Sequence, residues 1–363
     1  MLMLTACRAV SSTSAQTTTS ASATASKTNR AIFPGKHWQR WPSPEDAGYS
    51  SLRLAEAVGF LRETQASSAL VIVGGQVLVD YGNTAEPSVL ASVRKSVLDV
   101  LMGKYVANGQ LRLDATLDQF GIDDVGGLSA EEKQATVADL LTTRSGVFHP
   151  ACNPGDDLAQ APPRGSQPHG TYFIYSNWDF NVLGTIFEHA TGRDVYEALE
   201  TDLAKPLGME DFRRDLQHKS HDDAVSIHAA YHMWLSTRDL ARIGLLMLRG
   251  GEWNGQRLVP ADWVQRSTHV VVPREAMHPD KMKANPFSYG YLWWIFDDDA
   301  ARAGGPMHDG FTGLGAGGQF ITVLPALDMV VAVKTKAPGD TRPSAYEQFL
   351  ERLTQARCSG TCP

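Results

Sequence analysis

Strand-forming runs stand at both ends of this chain, and helical periodicity fills its middle. "SSALVIVGGQVLVDYGN" (67–83) reads as two apolar strands around Gly74-Gly75, a hairpin signal. From about residue 288, "YGYLWWIF", "GGQFITVLP" and "DMVVAVKTK" are strand-like again, and "SAYEQFLERLTQ" closes the chain as a helix. Between them, from about 114 to 270, helical patterns dominate: "VADLLTTR", "NVLGTIFEHATG", "RDVYEALETDLAKPLG" and "STRDLARIGLLMLRGG". The simplest packing is a single antiparallel sheet built from both termini, covered by helices. The expected class is therefore α/β (α+β). Residues 31–357 form the domain, with its sheet part at 31–113 and 271–357 and a mainly helical subdomain inserted at 114–270. A cleft between the two parts is the default place for a ligand.

Composition supports a core of that size and narrows the partners. The chain has 363 residues, 43% hydrophobic and 20% charged, enough for one large domain. Its net charge is −7, from 40 acidic and 33 basic residues, with no basic stripe of the kind nucleic acid needs. No apolar run approaches the roughly 18 residues of a membrane helix.

The chemistry concentrates first in "VLASVRKSVLDVL" (89–101). Val93, Val97, Leu98 and Leu101 recur at roughly helical spacing, and Asn108-Gly109 is a stop signal. Ser92 and Lys95 fall three residues apart in the first turn, on one side of the helix. Taken alone, the pair reads as a Ser N-cap beside a solvated lysine. Taken as chemistry, it is a weak hydroxyl nucleophile with a neighbouring base. Lysine is a base only when neutral, which near pH 7 demands about 4 kcal/mol of differential interaction against its ordinary value of about 10.4. Burial and the positive end of a helix both push that way. Arg94 is expected to point elsewhere and stay solvated. The backbone N–H of Ser92, at the helix start, is a donor to a developing oxyanion.

A third member stands in "YFIYSNWDFNVLG", where Tyr175-Ser176-Asn177 precedes a helix. Tyr175 is placed to shuttle a proton between Ser92 and a leaving group, and Asn177 to hold Lys95 or a substrate carbonyl. Tyr81, in "YGN", matches the same Y-x-N pattern but closes the first hairpin.

With these residues in order, the chain resembles the serine β-lactamase-like, penicillin-binding superfamily. The likeness is to its class C-like branch of family VIII carboxylesterases and 6-aminohexanoate-oligomer hydrolases. It spans about 65 to 336: "SVRKS" for S-x-x-K, "LLTTRSGV" (140–147), the Y-x-N helix, "KPLGM" (205–209) and the hairpin "GAGGQFITVLPALDMVVAVKT". The resemblance implies an acyl-enzyme serine hydrolase without a cofactor, acting on small esters or amides. The other readings are a β-lactamase or DD-peptidase, or a surface-anchored sensor that is acylated without turnover.

The family's third motif has two registers here. His308-Asp309-Gly310 looks like its H-x-G form and makes Phe311 the second oxyanion donor. Counting back from "VLPALD", Gly313-Leu314-Gly315 fits the strand better, and the donor becomes Ala316, flanked by Gly315 and Gly317. The second register is favoured. It leaves no Lys, Thr or Ser to hold a substrate carboxylate, which points to uncharged esters or small linear amides rather than β-lactams. "VKTK" (333–336) mimics K-T-G without its glycine and is set aside.

Other features carry weaker signals. "LTAC" (4–7) resembles a bacterial lipobox, and the Ser/Thr/Ala-rich stretch 9–28 reads as a mobile linker, so an exported protein anchored through a lipid on Cys7, or periplasmic, is expected. Only six residues precede Cys7, short of a full signal. In the 358–363 tail, Cys358 and Cys362 are close enough to pair with each other or with Cys152. His228 and His232, four apart, would share one face of a helix, but no further ligand completes a zinc site. Trp178, Tyr231, Trp234, Trp293 and Trp294 read as core or as the lining of an apolar pocket.

Overall fold

A computed structural model describes residues 31–360 and 362. The expectations for the linker and for Cys7 lie outside the described residues. The first part of the chain holds α1 (Ser51–Glu63), β1 (Ser68–Val73), β2 (Gln76–Gly82), β3 (Ser88–Val89) and α2 (Val93–Ala107). The middle holds α3 (Val137–Leu141), β4 (Phe173–Ile174), α4 (Asn177–Thr191), α5 (Val195–Ala198), α6 (Lys205–Leu207), β5 (His218–Asp222), β6 (Ser226–His232), β7 (Trp234–Leu235), α7 (Thr237–Leu248), β8 (Glu252–Trp253), β9 (Gln256–Arg257) and α8 (Ala261–Ser267). The last part holds β10 (Met277–His278), β11 (Phe287–Tyr289), β12 (Trp294–Phe296), α9 (Asp299–Arg302), β13 (Phe311–Gly315), β14 (Gln319–Leu324), β15 (Met329–Lys334) and α10 (Pro343–Gln355).

Seven of these strands make one antiparallel sheet in the order β11-β12-β13-β14-β15-β1-β2. The strands from the two ends of the chain meet inside it, where β1 pairs with β15 from Ser68 opposite Lys334 to Val73 opposite Met329. The central strands are buried at every position, as "SALVIV", "QFITVL" and "MVVAVK", because helices cover both faces. Side chains alternate across a strand, and β14 uses both sides. Phe320 stacks on Tyr346 of α10, and Thr322 bonds the Tyr346 hydroxyl. On the opposite face, Ile321 and Val330 crowd Gly244 of α7. From Ile32 onward the chain is one compact unit.

Two sequence readings change. "YGYLWWIF" is not one strand: Gly290 N–H donates to the Trp293 carbonyl at 2.9 Å, and the run folds into the β11–β12 hairpin. The middle portion is not helical throughout, since β5 and β6 form a hairpin with His218 opposite His232. His228 and His232 thus lie on a strand, roughly 13 Å apart along it, and do not share a helical turn. Both His228 ring nitrogens are taken, by the Asp123 carbonyl and Thr185 Oγ1. Cys358 is bonded to Cys362, and Cys152 is free.

The helix that carries Ser92 is the buried centrepiece. Every residue of α2 from Val93 to Gly103 is buried, which the apolar stripe alone did not suggest. One of its neighbours is Trp263 of α8, whose indole donates to the Asp99 carbonyl at 3.0 Å. A Cβ on Gly103 would meet Trp263 Cδ1 at 2.4 Å and Cγ at 2.8 Å. Gly103→Ala is therefore expected to destabilise the protein by about 1–3 kcal/mol, despite alanine's better helix propensity. Urea unfolding checks this; an unchanged midpoint would show that Trp263 gives way freely.

Candidate active site

The start of α2 is fixed from both sides. Leu90 N–H donates to the Met233 carbonyl at 2.8 Å, and Ala91 turns the chain with φ at 46°. Ser92 then occupies the N-cap position, but its side chain makes no capping bond. Its hydroxyl is free for other work, so the N-cap reading does not describe it.

Lys95, one turn on, is 2% exposed. Its Nζ lies 2.9 Å from Ser92 Oγ, 2.8 Å from Tyr175 Oη and 2.8 Å from Asn177 Oδ1. The rings of Tyr175 and Phe180 flank it, each 4.3 Å from Nζ to the centroid. Neutral lysine has two N–H groups and one lone pair, so it can donate to Asn177 and Tyr175 while accepting from the Ser92 hydroxyl. Burial first, and the Arg94 cation second, hold its ammonium well below the usual lysine range; the Asp156 carboxylate opposes them. Tyr175 moves the other way: burial pushes it up to about 12, against its hydrogen bonding with Ser92 and the charge of Arg94. The two environments drive base and acid apart, the pattern of a working pair.

Tyr175 and Asn177 are held by a short braid of loops. Thr143, at a φ of 48°, donates through Oγ1 to the Ile174 carbonyl at 2.6 Å and accepts from Ser176 N–H at 3.0 Å. Ser176 caps α4 by accepting from Asp179 N–H. Ser145 of "RSGV" donates to Asp179 Oδ1 at 2.8 Å, which ties that segment to the same turn. Asn177 N–H donates to Asp156 at 3.0 Å, and its Nδ2 donates to the Pro154 carbonyl at 2.9 Å. With Nδ2 committed there, the amide oxygen must face Lys95.

The cleft above these groups has a volume of about 400 Å³, within the range of small-molecule sites. Ser92 and Tyr175 line it, together with Leu314, Gly315, Ala316 and Gly317. The end of β13 comes very near the start of α2: a Cβ on Gly315 would stand 2.6 Å from the Leu90 carbonyl and 3.3 Å from Ser92 N. One residue pair earlier, a Cβ on Gly313 would meet Ser96 Oγ at 2.9 Å. The strand therefore runs along the helix with Gly315 level with Ser92, and Ala316 follows at the cleft. His308 lies beyond the other end of that strand. It is exposed, its Nδ1 is 3.0 Å from the Ala301 carbonyl, and it borders a separate cavity with Thr268 and Ile295. The H-x-G register is corrected on that ground: residues 308–310 precede β13 and never reach α2.

Some participants were not visible in the sequence. Arg94 is corrected from solvated to buried, at 2% exposure. Asp340, Thr341, Arg342 and Pro343 also line the cleft, although "GDTRP" carries only a turn signal. Of the aromatics, Trp294 lines the cleft and stacks beside Tyr175, whereas Trp178 and Trp293 are core.

The chain is similar to known proteins over most of its length. The beta-lactamase family model matches residues 55–356. The 6-aminohexanoate-dimer hydrolase of Paenarthrobacter ureafaciens is 26% identical over 318 residues, covering 80% of this chain and 78% of that one. Among solved structures, a penicillin-binding protein homologue from Caulobacter crescentus superimposes with a TM-score of 0.60 at 18% identity, over 85% of this chain and 99% of that one. EstCE1, a hydrolase with promiscuous acyltransferase activity, gives 0.60 at 17% identity, over 84% and 98%.

Proposed function

The chain belongs to the beta-lactamase family and is a serine hydrolase of it, and we propose that it works through an acyl-enzyme on Ser92, cleaving small uncharged esters or amides. The observation that carries this reading is the placement of one buried amine, Lys95 Nζ, against Ser92 Oγ, Tyr175 Oη and Asn177 Oδ1.

In the first half-reaction Ser92 Oγ attacks the carbonyl carbon, and its proton passes to neutral Lys95. The tetrahedral oxygen sits between the N–H groups of Ser92 and Ala316, donors that need no reorganisation as charge develops. Collapse expels the alcohol or amine, which takes a proton relayed from Lys95 through Tyr175. In the second half-reaction a water replaces the leaving group and the proton path runs in reverse. Because Tyr175 is raised to about 12, it works as a hydroxyl relay rather than as a standing phenolate.

Substrate preference follows from the cleft walls. Leu314 and Trp294 offer apolar surface near Ser92. Arg342, the one cation among the residues lining the cleft, is exposed and stands two residues from the exposed Asp340, so its pull on a substrate carboxylate is weak. The relative from Paenarthrobacter, named for an amide dimer, is consistent with a linear substrate. With p-nitrophenyl butyrate the enzyme is expected to show a butyryl adduct by intact mass and repeated turnover. Its kcat/KM on that ester should exceed that on nitrocefin by about tenfold or more. A higher value for nitrocefin would reject the substrate preference. One equivalent of product followed by arrest would favour the sensor reading.

A further inference from the structure

Arg94 has no place in the proton path just described, yet it is one of the most deeply buried cations in the molecule. It precedes Lys95 in the first turn of α2 and is 2% exposed. No carboxylate pairs with it among the described residues. Its Nη2 donates to Asn181 Oδ1 at 3.0 Å, its guanidinium lies 4.2 Å above the ring of Tyr231, and its Nη1 has no hydrogen-bond partner. A buried charge is ordinarily neutralised by an opposite one. Here the neutral partners are fixed in turn: Asn181 Nδ2 donates to Asn153 Oδ1 at 2.9 Å, while the adjoining Asn153 and Pro154 carbonyls orient Asn177. Asn177 and Asn181 are one turn apart on α4, so a single loop sets the amide that faces Lys95 and the amide that faces Arg94.

We propose that Arg94 is a positioning residue for the reaction, a permanently charged and deliberately unpaired cation whose field keeps Lys95 deprotonated in the resting enzyme. The proposal rests on Lys95 being the base. Guanidinium cannot release its proton in a protein, whereas an ammonium can. Two neighbouring buried cations therefore resolve their repulsion by Lys95 losing its charge. The other groups around the pair are few. Asp156 is the one carboxylate acting on Lys95, and it opposes Arg94. Tyr231 of β6 faces the guanidinium and Tyr196 of α5 feels its charge, both as neutral phenols raised by burial. Cys152 and His232 also feel its charge; burial holds the thiol up and the imidazole down to about 4, so both are uncharged near neutral pH. An asparagine at 181, where an aspartate would fit, leaves the cation unneutralised.

The test is the acidic limb of the kcat/KM profile on p-nitrophenyl butyrate, where activity falls as Lys95 takes up a proton. Arg94→Met removes the charge, and the limb should move to higher pH by about one unit or more. Arg94→Lys places there an ammonium that can itself lose its proton, so its limb should fall between those of the parent and Arg94→Met. Asn181→Asp keeps the hydrogen bond but pairs the guanidinium, so it should shift the limb upward even if Arg94→Met does not fold. A purely structural role would lower activity at every pH and leave the limb in place. That result, in a background where Lys95→Met is inactive, would overturn the proposal and spare the base assignment. Retained activity in Lys95→Met would instead overturn the reading on which the proposal rests.

Discussion

Ser92→Ala is expected to lose hydrolysis by roughly 10⁴-fold or more, the scale seen when a serine nucleophile is removed, and to take no label from a fluorophosphonate probe. It should melt close to the parent. The contrast follows from where the hydroxyl points. A Ser that caps a helix contributes about 1 kcal/mol to stability, and its replacement by Ala forfeits that. Ser92 stands at the N-cap position without making the cap bond, and its Oγ faces Lys95 Nζ at 2.9 Å. Removing it leaves Lys95 still bonded to Tyr175 and Asn177. Activity and stability are thus separable at this position. A variant that kept its labelling and lost about 1 kcal/mol of stability would restore the simple capping role and end the nucleophile assignment.

Much of this site was legible because its chemistry is local in sequence. Ser92 and Lys95 are one helical turn apart, and Tyr175 and Asn177 flank the cap of α4, so each pair needs only its own backbone to be arranged. The sheet was legible for a related reason. A strand covered on both faces must be apolar at every position, and β1, β14 and β15 are. What escaped the sequence depends on contacts between distant segments. Arg94 reads as a solvated neighbour of Lys95 on any helix with one buried face. It becomes a buried cation because α2 is surrounded, with Asn181 and Tyr231 arriving from α4 and β6. Likewise, periodicity placed His228 and His232 on a helix because a spacing of four suits that element, whereas the hairpin pairing of β5 with β6 decides the matter.

The choice between the two registers of the third motif shows the same division. Both are short glycine-bearing patterns, and local propensity does not separate them. Pairing does. Gly315 stands opposite Gln319 at the tight end of β13–β14, and a side chain there would strike the Leu90 carbonyl. The glycine is needed because two backbones meet, one of them belonging to the residue before the turn that presents Ser92.

Lys95→Met should reduce kcat/KM by on the order of 10²-fold or more, as removal of a general base does, and it should also flatten the dependence of stability on pH. In the folded protein the lysine is held well below its ordinary range by burial and by Arg94. The unfolded chain takes up a proton at about 10.4. Between the depressed folded value and about 10.4, the unfolded state therefore binds one more proton than the native state. Stability then rises with pH across that window, by up to about 1.4 kcal/mol per pH unit, and levels off below it, where both states are protonated. Methionine of similar length cannot titrate, so this slope disappears. The raised Tyr175 acts only above its ordinary range near 10, where stability falls as pH climbs, and so does not mask the effect. Loss of the amine also leaves Asn177 Oδ1 without its donor, at a cost of about 1–3 kcal/mol. The comparison must therefore be of slopes rather than of single values. Urea unfolding of parent and variant at several pH values between neutrality and about 10 should show the variant gaining on the parent as pH falls. Parallel curves would mean that Lys95 is charged in the native state, and the proton from Ser92 would have to go elsewhere.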